Sequence, residues 1–402
     1  MIRSLFKHEF MLMLKSRKNN IFIGFLFILL LAYCFIIQPN QETADSFNPN
    51  LQEQELELMA AQQEARMARG STGFGNFTGN SIYATTEYNY RLHNKMKHAY
   101  EDGDFTRFLH LLTYSHESGF SSFFDDMAAE YAMSPFPVKD MMHLYQQTLF
   151  SYEAHLEQDE PITYPMIEQK TTVQTMQNAL LSPVTYLILF AVIYFSSDII
   201  TVNRGYKTLL QGLPMPWYRQ LNVKSFTSFT YTLAVLFILM LAGMGIITAL
   251  NGFGFSNISV PVVKTNGNMM REDYAFIAFG DFLLKTSSLM VVLIYLFTRL
   301  STVLSLLFKN QWIVLFIGTI VLFSQQFYYS RIKKSLFGMD VSNFPQTYFE
   351  FGNVVKGEKI FLLNLDTITY AKGITVLLIT VVLIEITLFF VSKLIKKRRF
   401  YA

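Results

Sequence analysis

Six runs of apolar residues dominate this sequence, and each is long enough, or nearly so, to cross a bilayer as a helix. The hydrocarbon core of a membrane is crossed by roughly 20 helical residues. The runs lie at residues 21–37, 183–202, 226–250, 274–297, 303–327 and 374–394. Only 16% of all residues are charged, whereas about 25% is usual in soluble proteins. The sequence therefore predicts an all-α polytopic membrane protein with six transmembrane helices.

The orientation of these helices follows from the lysines and arginines that flank them. Short segments rich in these residues usually stay in the cytoplasm. Three such segments, at residues 1–20, 203–224 and 393–399, fall on one side of a six-helix arrangement. We therefore predict a multi-pass protein of a bacterial cell membrane with both termini cytoplasmic and residues 39–178 outside. The hairpin 328–373 does not fit this arrangement well. It contains basic residues, and six membrane helices would place them outside.

The block between the first two runs is the largest water-exposed part that the sequence predicts. Residues 39–178 hold 20 Asp or Glu and 8 Lys or Arg, a net charge of −12, which leaves +15 for the rest of the chain. Helical spacing of apolar residues at 51–69 and 138–157 predicts a mostly helical extracellular domain. The predicted domains are an amphipathic cytoplasmic interface helix at 1–20, transmembrane helix 1 at 21–38, this domain at 39–178 and transmembrane helices 2–6 at 179–402.

Six of the seven histidines lie in this acidic block, so a metal site has to be considered. They are His93, His98, His110, His116, His143 and His155. Imidazole is a common ligand of zinc and copper, but no pair has the i, i+4 spacing with an intervening Glu that is typical of a helical zinc site. Locally hydrogen-bonded or solvated histidines are the favoured interpretation, with metal binding as the alternative.

The first twenty residues are typical of an amphipathic helix that lies along a membrane surface. The apolar residues that share one helical face are Ile2, Leu5, Phe6, Phe10, Leu12 and Met13. Glu9 lies within this face, where an unpaired carboxylate is unfavourable. Two interpretations are open. Glu9 either forms a local cap or reaches the headgroups, or it pairs with a cation of a partner subunit.

The link after the second apolar run, residues 203–224, is predicted to be a compact basic protrusion into the cytoplasm. Gly205 permits a sharp break after the membrane helix, and Pro214 helps to end a short helix that follows. Trp217 suits the membrane interface, and Lys224 stands at the start of the third apolar run. Such a rigid segment is suited to contact with a cytoplasmic partner.

This link resembles the one in permease subunits of the ABC type-2 export family. The features that carry the resemblance occur in the family's order, and they are Asp198, Arg204-Gly205, Leu209-Leu210, Leu213-Pro214 and Lys224. Residues 7–18 resemble the family's leading interface helix, and residues 304–310 resemble the connection between its fourth and fifth helices. Residues 39–178 look like an insertion found in a bacterial subgroup.

The resemblance implies the membrane-spanning permease of an ATP-driven exporter. Two copies of a separate ATPase subunit would bind ATP and Mg²⁺, and a second permease, identical or paralogous, would complete the dimer. The residues implied to couple to the ATPase are Glu9, Arg204, Gly205, Leu209, Leu210, Pro214, Trp217 and Lys224. The chain has no P-loop, Ser-His-Asp order or metal signature. We therefore expect no enzymatic activity, no bound cofactor and no nucleic-acid partner.

Asp281, Lys285 and Glu385 lie well inside the predicted membrane helices, and such residues are functional candidates by default. Lys285 and Glu385 each lie about 11 residues into an inward-running helix, so both are expected at a depth of roughly 16 Å. Asp281 precedes Lys285 by one helical turn. The alternatives are an Asp281–Lys285 bridge at the outer rim, with Glu385 bonded to a neighbouring hydroxyl, and a Lys285–Glu385 pair that faces the translocation path.

The sequence is compatible with several classes of cargo and with more than one function. An aromatic-rich membrane part and an acidic external domain suit an amphipathic peptide, an antimicrobial or a hydrophobic drug. A sodium-extruding pump of the same family is an alternative, with Asp281 and Glu385 as ligands. A membrane-anchored sensor of external peptides is a candidate from another class. An ion-driven carrier would contain inverted repeats, and the sequence shows none.

Overall fold

The computed structural model of the protein describes residues 2–41, 46–73, 82–201, 215–395 and 400. The chain divides into two compact units. The membrane unit comprises Met1–Pro39, Thr172–Gly267 and Glu272–Ala402, and the helical unit comprises Asn40–Thr171 and Asn268–Arg271.

The helical unit consists of short and medium-length helices around an aromatic core. Its helices are α3 (Pro49–Ala68), α4 (Ile82–Glu101), α5 (Phe105–Ser118), α6 (Phe120–Tyr131), α7 (Pro137–Leu156) and α8 (Tyr164–Ile167). Phe108 is 1% exposed and packs at the centre, with the rings of Phe47 and Tyr100 at 5.3 and 6.1 Å. The predicted helices at 51–69 and 138–157 match α3 and α7, so the helical character of this segment is confirmed.

Several histidines of the helical unit make hydrogen bonds to a neighbouring helix of that unit. His93 bonds the amide of Gln52 at 2.9 Å, and His116 bonds the Tyr145 carbonyl at 3.1 Å. Burial lowers the pKa of the His93 imidazole below its ordinary value. Among the residues that the structure describes, no three His, Cys, Asp or Glu side chains come together as a metal site would require.

The membrane unit contains the long apolar helices, a β-hairpin and a series of short elements. Its helices are α1 (Ile2–Lys15), α2 (Arg17–Asn40), α9 (Thr172–Leu181), α10 (Val184–Ser196), α11 (Trp217–Asn251), α12 (Phe279–Phe308), α13 (Gln311–Phe323), α14 (Phe351–Val355), α15 (Glu358–Leu363) and α16 (Tyr370–Leu394). Its strands are β1 (Ser259–Val263), β2 (Tyr274–Ala278), β3 (Ser335–Leu336) and β4 (Met339–Asp340), which pair as two antiparallel hairpins.

Four helices of the described chain are long and apolar enough to cross a membrane, namely α2, α11, α12 and α16. A fifth span is possible by length if α10 is joined to the preceding helical segment Tyr164–Leu181, from which it is bent by 69°. The stretch Gln311–Phe327 is a shorter apolar helix. The protein is thus a predominantly helical, polytopic membrane protein. Six membrane helices stay a prediction.

The fourth and fifth predicted membrane helices have different bounds in the structure. The segment from residue 274 to 278 is strand β2, and the helix begins only at Phe279. This helix, α12, continues to Phe308 and ends where Lys309 adopts a left-handed backbone with φ of 55°. The Asn310 side chain then caps α13 by accepting the Trp312 N–H at 2.9 Å. Hydrophobicity does not distinguish a short apolar strand from the start of a helix, so the sequence misplaced these bounds.

The N-terminal helix is also shorter than the predicted 1–20. Ser16 has an extended backbone and caps the next helix, so α1 ends before it and α2 begins after it. The buried residues of α1 are Leu5, Glu9 and Met13. Ile2 and Leu12, which were predicted on the same face, are exposed. The buried stripe therefore repeats every four residues and has Glu9 at its centre.

Candidate functional site

Two almost completely buried side chains form an ion pair between α1 and α11. Glu9 Oε1 lies 2.8 Å from Lys224 Nζ, and the two side chains are 6% and 1% exposed. On either side of the pair, the ring of Phe6 lies 6.0 Å from that of Phe226, and the ring of Phe10 lies 5.8 Å from that of Tyr231. The cation that neutralises Glu9 belongs to the same chain. This corrects both interpretations of Glu9 offered by the sequence.

The length of α11 explains how Lys224 reaches Glu9. This helix has 35 residues and is roughly 52 Å long, well beyond a hydrocarbon core of about 30 Å. Lys224 lies seven residues after its first residue, Trp217. The first turns of α11 therefore continue past the apolar stretch and pack against the amphipathic helix α1.

A second ion pair joins the start of α2 to the residues that follow α10. Lys18 Nζ lies 2.8 Å from Asp198 Oδ2 and donates to the Tyr194 carbonyl at 3.0 Å and to Ser197 Oγ at 3.3 Å. The ammonium also lies 4.7 Å from the centre of the Tyr194 ring. Asp198, the first position of the motif in the sequence, thus has its partner at the start of the first candidate membrane helix.

The predicted coupling residues Arg204, Gly205, Leu209, Leu210 and Pro214 lie outside the described residues. The structure does describe the chain on both sides of them. Before them, Asp198 is paired with α2. After them, Trp217 donates its indole N–H to the carbonyl of Ile395 at 3.1 Å, and Lys224 is paired with α1. Both approaches to this segment are therefore fixed to other parts of the membrane unit.

A third ion pair lies between the two packed helices α12 and α16. Arg299 donates from Nε to Glu385 Oε1 and from Nη2 to Glu385 Oε2 at 2.8 Å. Tyr295 and Tyr218 donate to the same carboxylate at 2.7 and 3.4 Å, and Asn222 accepts from Arg299 at 3.0 Å. Such a two-point contact between guanidinium and carboxylate restricts both position and orientation. Tyr218 and Asn222 belong to α11, so three helices meet at this pair.

Sequence reasoning missed Arg299 because it ended the fourth membrane helix at residue 297. With that end, Arg299 lies in a loop and has no reason to be paired. In the structure α12 continues to Phe308, and Arg299 and Glu385 each lie nine residues before the end of their helix. A correct end for this helix would have placed Arg299 inside it, at the same level as Glu385 in the last helix. That match in level was the signal for the pair.

The predicted roles of Asp281 and Lys285 are not supported. The Tyr295–Glu385 hydrogen bond aligns α12 with α16. Lys285 and Asp281 lie ten and fourteen residues before Tyr295, roughly 15 and 21 Å along the helix. Within one chain Glu385 is therefore paired with Arg299 and not with Lys285, and Asp281 lies too far along α12 to share an ion with Glu385. Within the described residues Asp281 and Lys285 form no ion pair either, and the Asp281 side chain is exposed.

The chain segment that connects α13 to α16 contains one further buried ion pair, which the sequence did not indicate. Lys359 Nζ lies 2.9 Å from Glu350 Oε2, and its side chain is 1% exposed. Tyr186 of α10 donates to the other carboxylate oxygen at 2.7 Å. Burial lowers the pKa of the Lys359 ammonium, and the Glu350 carboxylate offsets part of that shift. The pair fixes an irregular connection to α10, where no periodic pattern exists to predict it.

These elements and contacts define an α-helical polytopic membrane protein whose helices are linked by buried ion pairs. Comparison with known proteins adds no narrower class. No protein family matches the chain, no protein of curated function is significantly similar to it, and no solved structure matches it.

Proposed function

We propose that this chain is the membrane-spanning permease subunit of an ATP-driven exporter, with ATP hydrolysed by a separate ATPase subunit. One observation carries the proposal: the segment with the coupling motif has an ion-paired anchor on each side. Asp198 before the motif is bound by Lys18, and Lys224 after it is bound by Glu9. A force applied to this segment would therefore move α1, α2, α10 and α11 together.

The ion pairs would also transmit a displacement of the coupling segment to the other helices of the membrane unit. Breaking a buried pair by removing one partner costs about 3–5 kcal/mol, so the paired helices move as one body. On α11, Tyr218 and Asn222 contact Glu385 and Arg299. A shift of α11 is thereby passed to α12 and α16. In an exporter, closure of two ATPase subunits would drive such a shift and open a path outward.

The remaining parts of the proposal follow from charge and composition. Two ATPase copies and a second permease, identical or paralogous, would complete the assembly in a bacterial cell membrane. Cytoplasmic termini and an outer position for residues 39–178 are supported by the lysine- and arginine-rich segments 1–20, 203–224 and 393–399, which usually stay in the cytoplasm. The proposed cargo is an amphipathic peptide, an antimicrobial or a hydrophobic drug. Glu385 is already neutralised by Arg299, so it offers no free carboxylate to a sodium ion.

The ATPase partner is tested by co-purification from the native membrane. We expect tagged wild-type chain to recover a P-loop ATPase, and Arg204→Glu to lower the recovery at least about tenfold, because like charges across an interface repel strongly. The matched control is Lys264→Glu, a charge reversal at an exposed position after β1, which should leave the recovery unchanged. Mass spectrometry of the eluate measures both.

Two results would contradict the proposal. One is a wild-type eluate without any P-loop ATPase, which would favour a membrane-anchored sensor. The other is labelling of Trp217→Cys by an impermeant thiol reagent added to intact cells, in a Cys34→Ser background. Since Trp217 belongs to the proposed coupling segment 203–224, its exposure outside the cell would place that segment away from any cytoplasmic ATPase.

A further inference from the structure

A cleft of about 720 Å³ lies beside the N-terminal helix, between α1, α11 and α12. This is within the usual size of pockets for small ligands. One wall is apolar and is formed mainly by Ile2, Phe6 and Phe226, with the two rings 6.0 Å apart. Phe226 is 55% and Ile2 44% exposed. The cleft therefore presents an apolar wall that is open to its surroundings.

The charged side chains that line the cleft are all arginines. Arg3, Arg219 and Arg299 line it, and no acidic residue does so among the described residues. Arg3 and Arg219 are exposed and make no ion pair or side-chain hydrogen bond within the described part of the chain. Arg299 is neutralised by Glu385 through Nε and Nη2, and Nη2 also donates to Asn222, so the charge that faces the cleft comes from Arg3 and Arg219. The cleft thus suits an anionic group.

The position of the cleft fits the interface between hydrocarbon and water. Arg3 belongs to α1, which directly precedes the first candidate membrane helix, and Arg219 is the third residue of α11. Arg299 lies nine residues before the end of α12. Cationic groups at the helix ends and an exposed apolar wall beside them match an amphiphile with a charged head and an apolar tail.

We propose that this cleft binds an anionic phospholipid from the leaflet in which α1 lies. The phosphate is held by Arg3 and Arg219, with Arg299 behind them, and an acyl chain lies along Phe6 and Phe226. Guanidinium groups match the geometry of phosphate, and basic pockets between membrane helices are typical sites for phospholipid headgroups. The proposal depends only on the membrane class of the protein and not on the exporter assignment.

The test measures phosphatidylglycerol binding to the full chain in neutral detergent, where no charged membrane surface contributes. Native mass spectrometry with phosphatidylcholine as the neutral reference gives the relative affinity. Each arginine–headgroup contact contributes roughly fivefold, so Arg3→Gln with Arg219→Gln should weaken phosphatidylglycerol binding roughly 30-fold. Binding of phosphatidylcholine should stay unchanged. The matched control, Lys7→Gln with Lys15→Gln, removes two exposed charges of α1 that do not line the cleft and should retain wild-type binding.

Several outcomes would overturn the proposal. Equal wild-type affinity for both lipids, or an equal loss in the control pair, would show that no specific headgroup site exists. Displacement of bound phosphatidylglycerol by inorganic phosphate at a similar concentration would identify a soluble anion as the ligand. If the double variant elutes as an aggregate, the single variants Arg3→Gln and Arg219→Gln decide the matter, each with an expected loss of roughly fivefold.

Discussion

Replacing Lys224 with methionine is expected to lower the free energy of unfolding by about 3–5 kcal/mol, because the Glu9 carboxylate is then buried without its cation. Glu9→Leu should cost a similar amount, since it leaves the 1% exposed Lys224 ammonium unpaired. Unfolding in mixed micelles, followed by tryptophan fluorescence or by chemical labelling of Cys34, which is fully buried, measures the change. The exposed Lys264→Met serves as the control and should remain near wild type.

The double variant Glu9→Leu with Lys224→Met separates the ion pair from simple packing. Replacing both partners of a buried pair by apolar groups is often neutral or even stabilising, so the double variant should regain most of the lost stability. Hydrogen exchange of α1 should rise in each single variant and return in the double one. Additive losses in the double variant, or stable single variants, would refute the pairing of Glu9 with Lys224.

The second large effect is expected at the Arg299–Glu385 pair. Glu385→Gln keeps the shape of the side chain but leaves a guanidinium that is 7% exposed without its counter-charge, which costs about 3–5 kcal/mol. If the proposed exporter function holds and α12 and α16 carry the motion of α11, ATP-dependent transport should fall at least about tenfold while recovery of the ATPase stays the same. Uptake of a labelled cationic amphipathic peptide into inverted vesicles measures transport.

Lys285→Met provides the matched control for this experiment. It removes a charge from the same helix at a site roughly 15 Å from Tyr295, so transport should be retained. Exchange of the two charges, Arg299→Glu with Glu385→Arg, should restore part of the activity lost in the single variants. Wild-type transport in Glu385→Gln, or loss of transport in Lys285→Met, would contradict the role assigned to the pair.

The helices of the acidic block 39–178 show which features a local sequence pattern can predict. The sequence located α3 and α7 from the helical spacing of their apolar residues, which is a local property. In the structure Asn48 caps α3, and a proline stands at the start of each helix, Pro49 in α3 and Pro137 in α7. The bounds around Phe279 and Phe308 depend instead on strand pairing and a left-handed turn at Lys309, and no local signal revealed them.

The partners of the buried charges were the least predictable feature. Glu9 and Lys224 are 215 positions apart, and Lys18 and Asp198 are 180 apart. Charge and burial can be inferred for each residue from its place in an apolar helix. Which cation meets which carboxylate depends on the packing and axial alignment of two helices. The predicted start of α12 was five residues too early and that of α16 four residues too late, and these opposite errors together were enough to assign Glu385 the wrong partner.

The amino-acid sequence by itself determined that this chain is a helical membrane protein, because uninterrupted apolar length is a local property that only a bilayer accommodates. It also determined which side chains would need a partner, because a charge in an apolar helix is unfavourable wherever it lies. Only the tertiary structure decided which residue pairs with each buried charge. Ion pairing requires atoms to approach within about 4 Å, and that distance is set by helix packing rather than by order along the chain.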